Sequence, residues 1–309
     1  MKSGENKKKI IPVHHLPEDR SQGFDFKLYH LKGEYAYNKK LTSMPGETSV
    51  PHRHKFYEVC FFTKGGGVHE IDFQSYEIKE RSIHFISPGQ VHRIAGKAEN
   101  QGFVLAFTGS FLLENDQYLP VGLNSLDFFN PVQGNQILQL DIEEYRRILQ
   151  LVEGIEVDQH EMGDYARDIV RSYIMIILNK CKHYYSLLRL DDSQPEGSVL
   201  KLVEKFKNKV DQHFRTMHQV QEYSQLLNIT PGHLNRCCKK LTGLNASELV
   251  LHRIVLEAKR LLIFTEKTSK EVAFELSFED PSYFSRIFKK KTGFSPTSFR
   301  NRMRDKYHH

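Results

Sequence analysis

The stretch Glu271-Val-Ala-Phe-Glu-Leu-Ser-Phe-Glu-Asp-Pro-Ser-Tyr-Phe-Ser-Arg-Ile-Phe-Lys-Lys-Lys-Thr-Gly293 decides the fold of the last third of this 309-residue chain, because an earlier stretch repeats its pattern. That stretch is Val220-Gln-Glu-Tyr-Ser-Gln-Leu-Leu-Asn-Ile-Thr-Pro-Gly-His-Leu-Asn-Arg-Cys-Cys-Lys-Lys-Leu-Thr-Gly243. Leu227 and Ile229 lie 49 positions before Leu276 and Phe278, whereas Arg236, Lys239, Lys240, Thr242 and Gly243 lie 50 before Arg286, Lys289, Lys290, Thr292 and Gly293. The one-residue slip falls between the two helices of each unit, where a turn absorbs it. A repeat of this period is duplicated supersecondary structure.

Each unit reads as a short helix, a tight turn and a second helix. Thr268-Ser-Lys-Glu271 is a capping box, and Val272, Ala273 and Leu276 follow at helical spacing. Ala273 aligns with Ser224, small residues where two helices must approach. Asn228 and Ser277 take the turn position; Asn tolerates a left-handed backbone better than Ser. Thr230 and Asp280 are expected N-caps. Leu234, Cys237 and Cys238 face inward from one second helix, and Phe284, Ile287 and Phe288 from the other. The outward residues are Gly232, His233, Asn235, Arg236 and Lys239, then Pro281, Ser282, Ser285, Arg286 and Lys289. Arg pairs with guanine edges and Asn with adenine edges, while Lys and helix N-termini suit phosphate. These are the candidate contacts to double-stranded DNA. Arg236 and Arg286 have an alternative role, bracing the first helix through an ion pair.

Leu251, Ile254, Val255, Ala258, Leu261 and Leu262 place a helix between the units, starting near Ser247-Glu248. About sixteen residues span ~24 Å, a strut for recognition helices in successive major grooves ~34 Å apart.

Residues from about 200 to 305 resemble the DNA-binding domain of the AraC/XylS family of transcription regulators. The run from Glu271 to Arg300 matches that family's signature nearly throughout; Ser277 departs from it where Gly is more usual. The first unit is more divergent, with Cys237 and Cys238 in place of larger apolar residues. The resemblance implies a sequence-specific regulator of transcription.

Charge is unevenly placed. From Glu196 onward there are 21 Lys and Arg against 12 Asp and Glu; the preceding part has 23 against 26. A basic module thus joins a mildly acidic one, a split that fits a nucleic-acid-binding domain joined to something else. Met1 to Pro12 is polar and Lys-rich with no apolar core, and runs such as Tyr173 to Leu178 are too short to span a bilayer. Cys60, Cys181, Cys237 and Cys238 show neither a disulfide framework nor zinc spacing. A cytoplasmic location is expected.

From Lys27 to about Phe107 the chain is β-like. Segments such as Glu58–Phe62, Val68–Phe73, Tyr76–Ile78 and Ile83–Ile86 are bounded by turn residues, which suggests a barrel or sandwich. His52, His54 and Glu58 share parity and so face one side of an extended strand, and His92 can approach from another. Such a set suits a first-row transition metal. Gly46, His52-Arg-His54, Glu58 and Gly65 resemble the first motif of the cupin family. Pro88-Gly89-Gln-Val-His92 resembles the second, shortened by one residue. In cupin enzymes the matching positions bind metal. In AraC-like sensor domains the polar residues more often line an effector pocket or serve structure. His52, His54, Glu58 and His92 are therefore candidate effector contacts; no metal or other cofactor is favoured, and a divalent transition metal, if present, would use these four. His69 and His84 carry no signal favouring function.

Residues 141 to 153 and 163 to 188 read as helices. Tyr165, Ile169, Ser172, Tyr173, Ile176, Ile177 and Lys180 form one stripe of the second, a surface for pairing two subunits or for packing back on the barrel. Arg189 to Ser198 is the expected linker.

The expected fold class is α+β multidomain: a cupin-like β-barrel with accessory helices, then an all-α domain of two helix-turn-helix units joined by a helix. The expected organisation is a sensing domain over 1–188 with dimerisation helices at about 141–188, a linker over 189–198, and a DNA-binding domain over 199–309. The expected partners are double-stranded DNA, a small-molecule effector and a second copy of the chain, with RNA polymerase as a candidate and no membrane. The competing class is a metal-dependent cupin enzyme with a helical appendage, supported only by His52, His54, Glu58 and His92.

Overall fold

The computed structural model describes residues 13–14, 26–32, 49–95, 100–113, 123, 126–130, 135–161, 165–188 and 197–307. The polar start, Gly46, residues 189–196 of the expected linker and the final His pair lie outside them. The chain divides into two compact units, Val13–Asn208 and the part from Lys209 onward. The division falls inside one helix, Gly197–His213, whose first residues occupy the end of the stretch expected as linker.

Among the described residues, the first unit has ten strands in two sheets. One runs β1-β3-β8-β5-β6, with β1 Val13–His14, β3 His52–His54, β8 Val91–Ala95, β5 Val68–Ile71 and β6 Gln74–Glu77. The other runs β10-β7-β4-β9-β2, with β10 Ile137–Gln139, β7 Ser82–Ile86, β4 Tyr57–Lys64, β9 Gln101–Phe107 and β2 Phe26–Lys32. All pairings are antiparallel except β1 with β3.

Strand β4 explains how the second sheet is used. Tyr57 to Phe62 are all buried, the continuous run of a strand covered on both faces. Tyr57, Val59 and Phe61 join Ile83, Phe85, Leu105 and Phe107 in a core with helices α1 (Gly109–Leu113), α2 (Ile142–Glu161) and α3 (Ala166–Leu187). Cys60 and Phe62 turn the other way and pack with Tyr29, Ile71, Ile86, Val104 and Ala106. Period-2 alternation sets Glu58 and His84 on that second face as well.

Helix α2 runs to Glu161, beyond the expected end at 153, because Val152 and Ile155 continue its buried face. In α3, Val170, Ile174, Ile177, Leu178 and Cys181 pack inward. Of the expected stripe, Ile177 thus packs inward, while Tyr165, Ser172 and Ile176 are exposed.

In the second unit, α4 (Gly197–His213) contributes its last turn. Then follow α5 Val220–Leu226, α6 Pro231–Thr242, α7 Ala246–Phe264, α8 Ser269–Glu275, α9 Pro281–Thr292 and α10 Pro296–Tyr307. Helix α7 packs against α5, α6, α8 and α10. It is longer than the sequence suggests, 19 residues or ~28 Å, because a capping box of Asn245 and Glu248 starts it at Ala246, about one residue early, and Ile263 and Phe264 extend the buried face.

Candidate nucleic-acid interface and buried histidine cluster

The duplication is local and atomic. Asn228 and Ser277 both have left-handed backbones, φ 53° and 54°. Ile229 N–H donates to Ser224 O in one unit, and Phe278 N–H to Ala273 O in the other. Ser224 and Ala273 are buried, as close helix approach demands. Thr230 accepts from His233 N–H, and Asp280 from Ser282 N–H, to cap α6 and α9. Both helices end at left-handed glycines, Gly243 and Gly293, whose N–H groups donate to Lys239 O and Lys289 O. The one-residue slip is Glu279, between Phe278 and the Asp280 cap.

Helices α6 and α9 bury Leu234, Cys237, Cys238, Phe284 and Phe288, with Ile287 half-buried. Gly232, His233, Arg236, Lys239, Ser282, Arg286 and Lys289 are exposed, as an interface needs. Asn235 is not simply presented outward. Its Oδ1 accepts from Ala246 N–H at 3.0 Å, tying α6 to the start of α7. Ser285 Oγ–H donates back to Pro281 O within α9, and Pro281 is itself half-buried. Arg286 does not brace α8: its nearest carboxylate is Asp280, the cap of its own helix, at 4.0 Å, and its side chain is 75% exposed. Such a pair holds it weakly.

Other residues tie the helices together, and Arg215 is the one that reaches α8. Arg215 reaches Glu257 and Glu275, and Arg253 reaches Asp211 and Glu257. The Arg253 guanidinium also lies 3.8 Å from the Phe214 ring centre.

In the first unit the four predicted residues do not share one strand. His52 and His54 are in β3 of one sheet and Glu58 is in β4 of the other, with the chain crossing between sheets at Lys55 and Phe56. His92 comes from β8, in register with His52. All four are buried. The ligand atoms of His54, Glu58 and His92 lie within 4.8 Å of one another, and His54 Nε2 is 3.1 Å from Glu58 Oε2. His52 stands beside this set, its ring centre 4.2 Å from that of His92.

His69 and His84, which carried no functional signal, extend the cluster. His92 Nδ1 and His69 Nε2 are 3.1 Å apart, His69 Nδ1 and His84 Nδ1 3.1 Å, and His84 Nε2 and Ser82 Oγ 3.1 Å. Burial pulls His69 down to about 4, aided by His52 and His54 against the opposing charge of Glu58. Burial, then His69, hold His84 well below the usual imidazole value. Both rings are therefore neutral at pH 7. Burial pushes the Glu58 carboxyl up, but His54, His52 and Cys60 outweigh it and leave the group lowered and ionised. The Cys60 thiol, raised by burial and then by Glu58, keeps its proton and donates to Glu58 Oε1 at 3.3 Å. The missed signal was alternation: in Ser82-Ile-His-Phe-Ile86, odd positions are aliphatic or aromatic, and the even ones include a lone His pointing inward.

Comparison with known proteins follows the same two units. Residues 43–161 match the AraC-like ligand binding domain, and residues 223–302 match a helix-turn-helix domain. The chain belongs to the AraC family of transcription regulators. This AraC-family regulator is 24% identical over 263 residues to the uncharacterized HTH-type transcriptional regulator YfiF of Bacillus subtilis (strain 168), covering 82% of this chain and 79% of that one. It is 21% identical over 267 residues to the HTH-type transcriptional activator RhaR of Escherichia coli (strain K12), covering 83% and 89%. Among solved structures it is similar to ToxT from Vibrio cholerae, with 15% identity, 89% of this chain and 96% of that chain covered, and a TM-score of 0.40. Among the described residues, no helix is long and apolar enough to cross a membrane.

Proposed function

We propose that this regulator acts in the cytoplasm by reading a bipartite DNA sequence with α6 and α9, under control of a ligand held between the sheets of its N-terminal domain. The observation that carries this is the doubled unit with its matching caps, turns and exposed basic helix faces. Two such helices joined through one strut suit successive major grooves. Gly232, His233, Arg236, Lys239, Ser282, Arg286 and Lys289 form the contact surface; Asn235, Pro281 and Ser285 shape it. His52, His54, Glu58 and His92 are the ligand contacts.

The exposed face of α3, with Tyr165, Ser172 and Ile176, pairs two copies of the chain, and RNA polymerase is a partner at the promoter. The protein is a regulator rather than an enzyme, since an enzyme has no use for a duplicated DNA-reading unit. Ligand binding changes DNA affinity by favouring one arrangement of the chain over another.

The test is selection from random duplex DNA by the purified full-length protein, followed by sequencing. The expected product is a motif with two blocks about one helical turn apart. Binding with a steep salt dependence and no enriched motif, in folded protein, would overturn the reading. Sedimentation of the same preparation tests the dimer.

A further inference from the structure

We propose that the ring of Tyr283 holds the Arg286 guanidinium in place to read a guanine in the DNA block under α9. This rests on reading α9 as a DNA-reading helix, and it names the base and the residue that positions its reader.

Tyr283 stands in the first turn of α9 and lies outside the set of contacts expected from the sequence. It is a large aromatic side chain left 51% exposed. The base of its ring is nonetheless supported. The ring centre lies 6.3 Å from that of Phe278, which is buried and packs in turn on Phe284 at 5.3 Å and His218 at 4.6 Å. One helical turn further on, Arg286 places its guanidinium carbon 5.8 Å from the centre of the Tyr283 ring. A ring face attracts a cation within about 6 Å. Asp280 adds a weaker hold: its Oδ1 caps the helix by accepting from Ser282 N–H, and its Oδ2 lies 4.0 Å from Arg286.

A long exposed arginine has many rotamers, and most are lost when its fork meets a base edge. The ring and the carboxylate remove part of that loss before DNA arrives. Guanine offers two acceptors, O6 and N7, that match two N–H groups of one guanidinium. That pairing depends on the plane of the fork, which stacking against an aromatic face restricts. Exclusion of water at the interface then strengthens the attraction between ring and cation. The arrangement belongs to α9 and does not follow from the repeat as such. His233 takes the equivalent position in α6, and its Nε2 lies 3.6 Å from Cys237 Sγ, so its ring is engaged one residue beyond Arg236.

The test uses the full-length protein and a duplex recovered by selection, with each guanine replaced in turn and affinities compared by competition. Wild-type protein should prefer one guanine over its replacements by on the order of 10–100-fold, and Arg286→Ala should remove that preference. Tyr283→Leu should shrink the preference roughly 3–10-fold while changing binding to unrelated DNA less. Tyr283→Phe, which keeps the ring and loses the hydroxyl, should retain it. In an Arg286→Ala background, Tyr283→Leu should change the preference no further. Circular dichroism checks the fold, and Tyr283→Gln replaces the Leu variant if that protein is unfolded. An unchanged guanine preference in Tyr283→Leu overturns the proposal, including the case in which all DNA is bound more weakly by the same factor, as a purely structural role requires. Equal loss in Tyr283→Phe overturns it too, because the hydroxyl would then be the acting group. A selected motif with no guanine that depends on Arg286 sinks only this inference. The absence of any motif sinks the proposed function and this inference with it.

Discussion

Asn228 and Ser277 hold the same left-handed backbone position in the two DNA-reading units, at φ 53° and 54°. The position is set by a helix that must end and reverse within a few residues. A side chain other than Gly pays roughly 1–2 kcal/mol there, and Asn less than Ser. Ser277→Gly removes the steric cost but loosens the unfolded chain. The expected net effect is a gain of about 0.5–1 kcal/mol in the stability of the helical unit, with a smaller gain for Asn228→Gly. Urea unfolding followed by helical signal measures both; a Ser277→Gly protein that unfolds earlier would contradict the argument.

Arg286 and Asn235 are expected to separate binding from stability. Arg286 is exposed and only loosely paired, so Arg286→Ala should leave the melting temperature nearly unchanged while costing roughly 1–3 kcal/mol of affinity for the selected site. Asn235→Ala removes the acceptor for Ala246 N–H and should cost about 1 kcal/mol of stability. Equilibrium binding and thermal melts on both variants decide it. Equal affinity losses for Arg286→Ala on selected and unrelated DNA would assign Arg286 to phosphate.

The difference between these residues marks where the sequence ceases to be legible. The repeat, its caps and its turn positions are local, so Thr268, Glu271, Asn228 and Thr230 announce themselves through spacing. Asn235 does not, because its partner is eleven residues away on another helix. In the first unit, His52, His54 and Glu58 were visible as a motif, but parity alone assumed one strand where the chain crosses between two sheets. His69 and His84 were invisible because their role depends on which strands face each other, and antiparallel register is a long-range property.

Gly102 is a second long-range constraint. It lies in β9 between β2 and β4, opposite Leu31 and Phe62, with φ +150°. A Cβ there would come within 1.8 Å of Phe61 O. Backbone cannot yield as a side chain can, so Gly102→Ala should cost at least about 3 kcal/mol or prevent folding of the sheet. Soluble yield and the melting of the N-terminal unit report it, and a variant that melts like wild type would refute the close approach.

Glu257 predicts the acid sensitivity of the helical unit. Burial raises its carboxyl, but Arg253, Arg260 and Arg215 more than compensate and leave it below its ordinary value of 4.5. A carboxylate depressed on folding adds stability that is complete above its unfolded value and is lost as pH falls through the folded one. The unit should therefore weaken progressively as pH drops below about 5. Glu257→Gln leaves buried guanidinium groups without their anion. At neutral pH it should cost about 3 kcal/mol, the low end for a broken buried pair, because Arg215 is half exposed. Since the substituted protein has no such carboxylate to titrate, the gap between it and wild type should narrow on acidification. Chemical unfolding of both proteins at neutral and acidic pH measures the gap; parallel losses would show that Glu257 is not the group whose protonation weakens the unit.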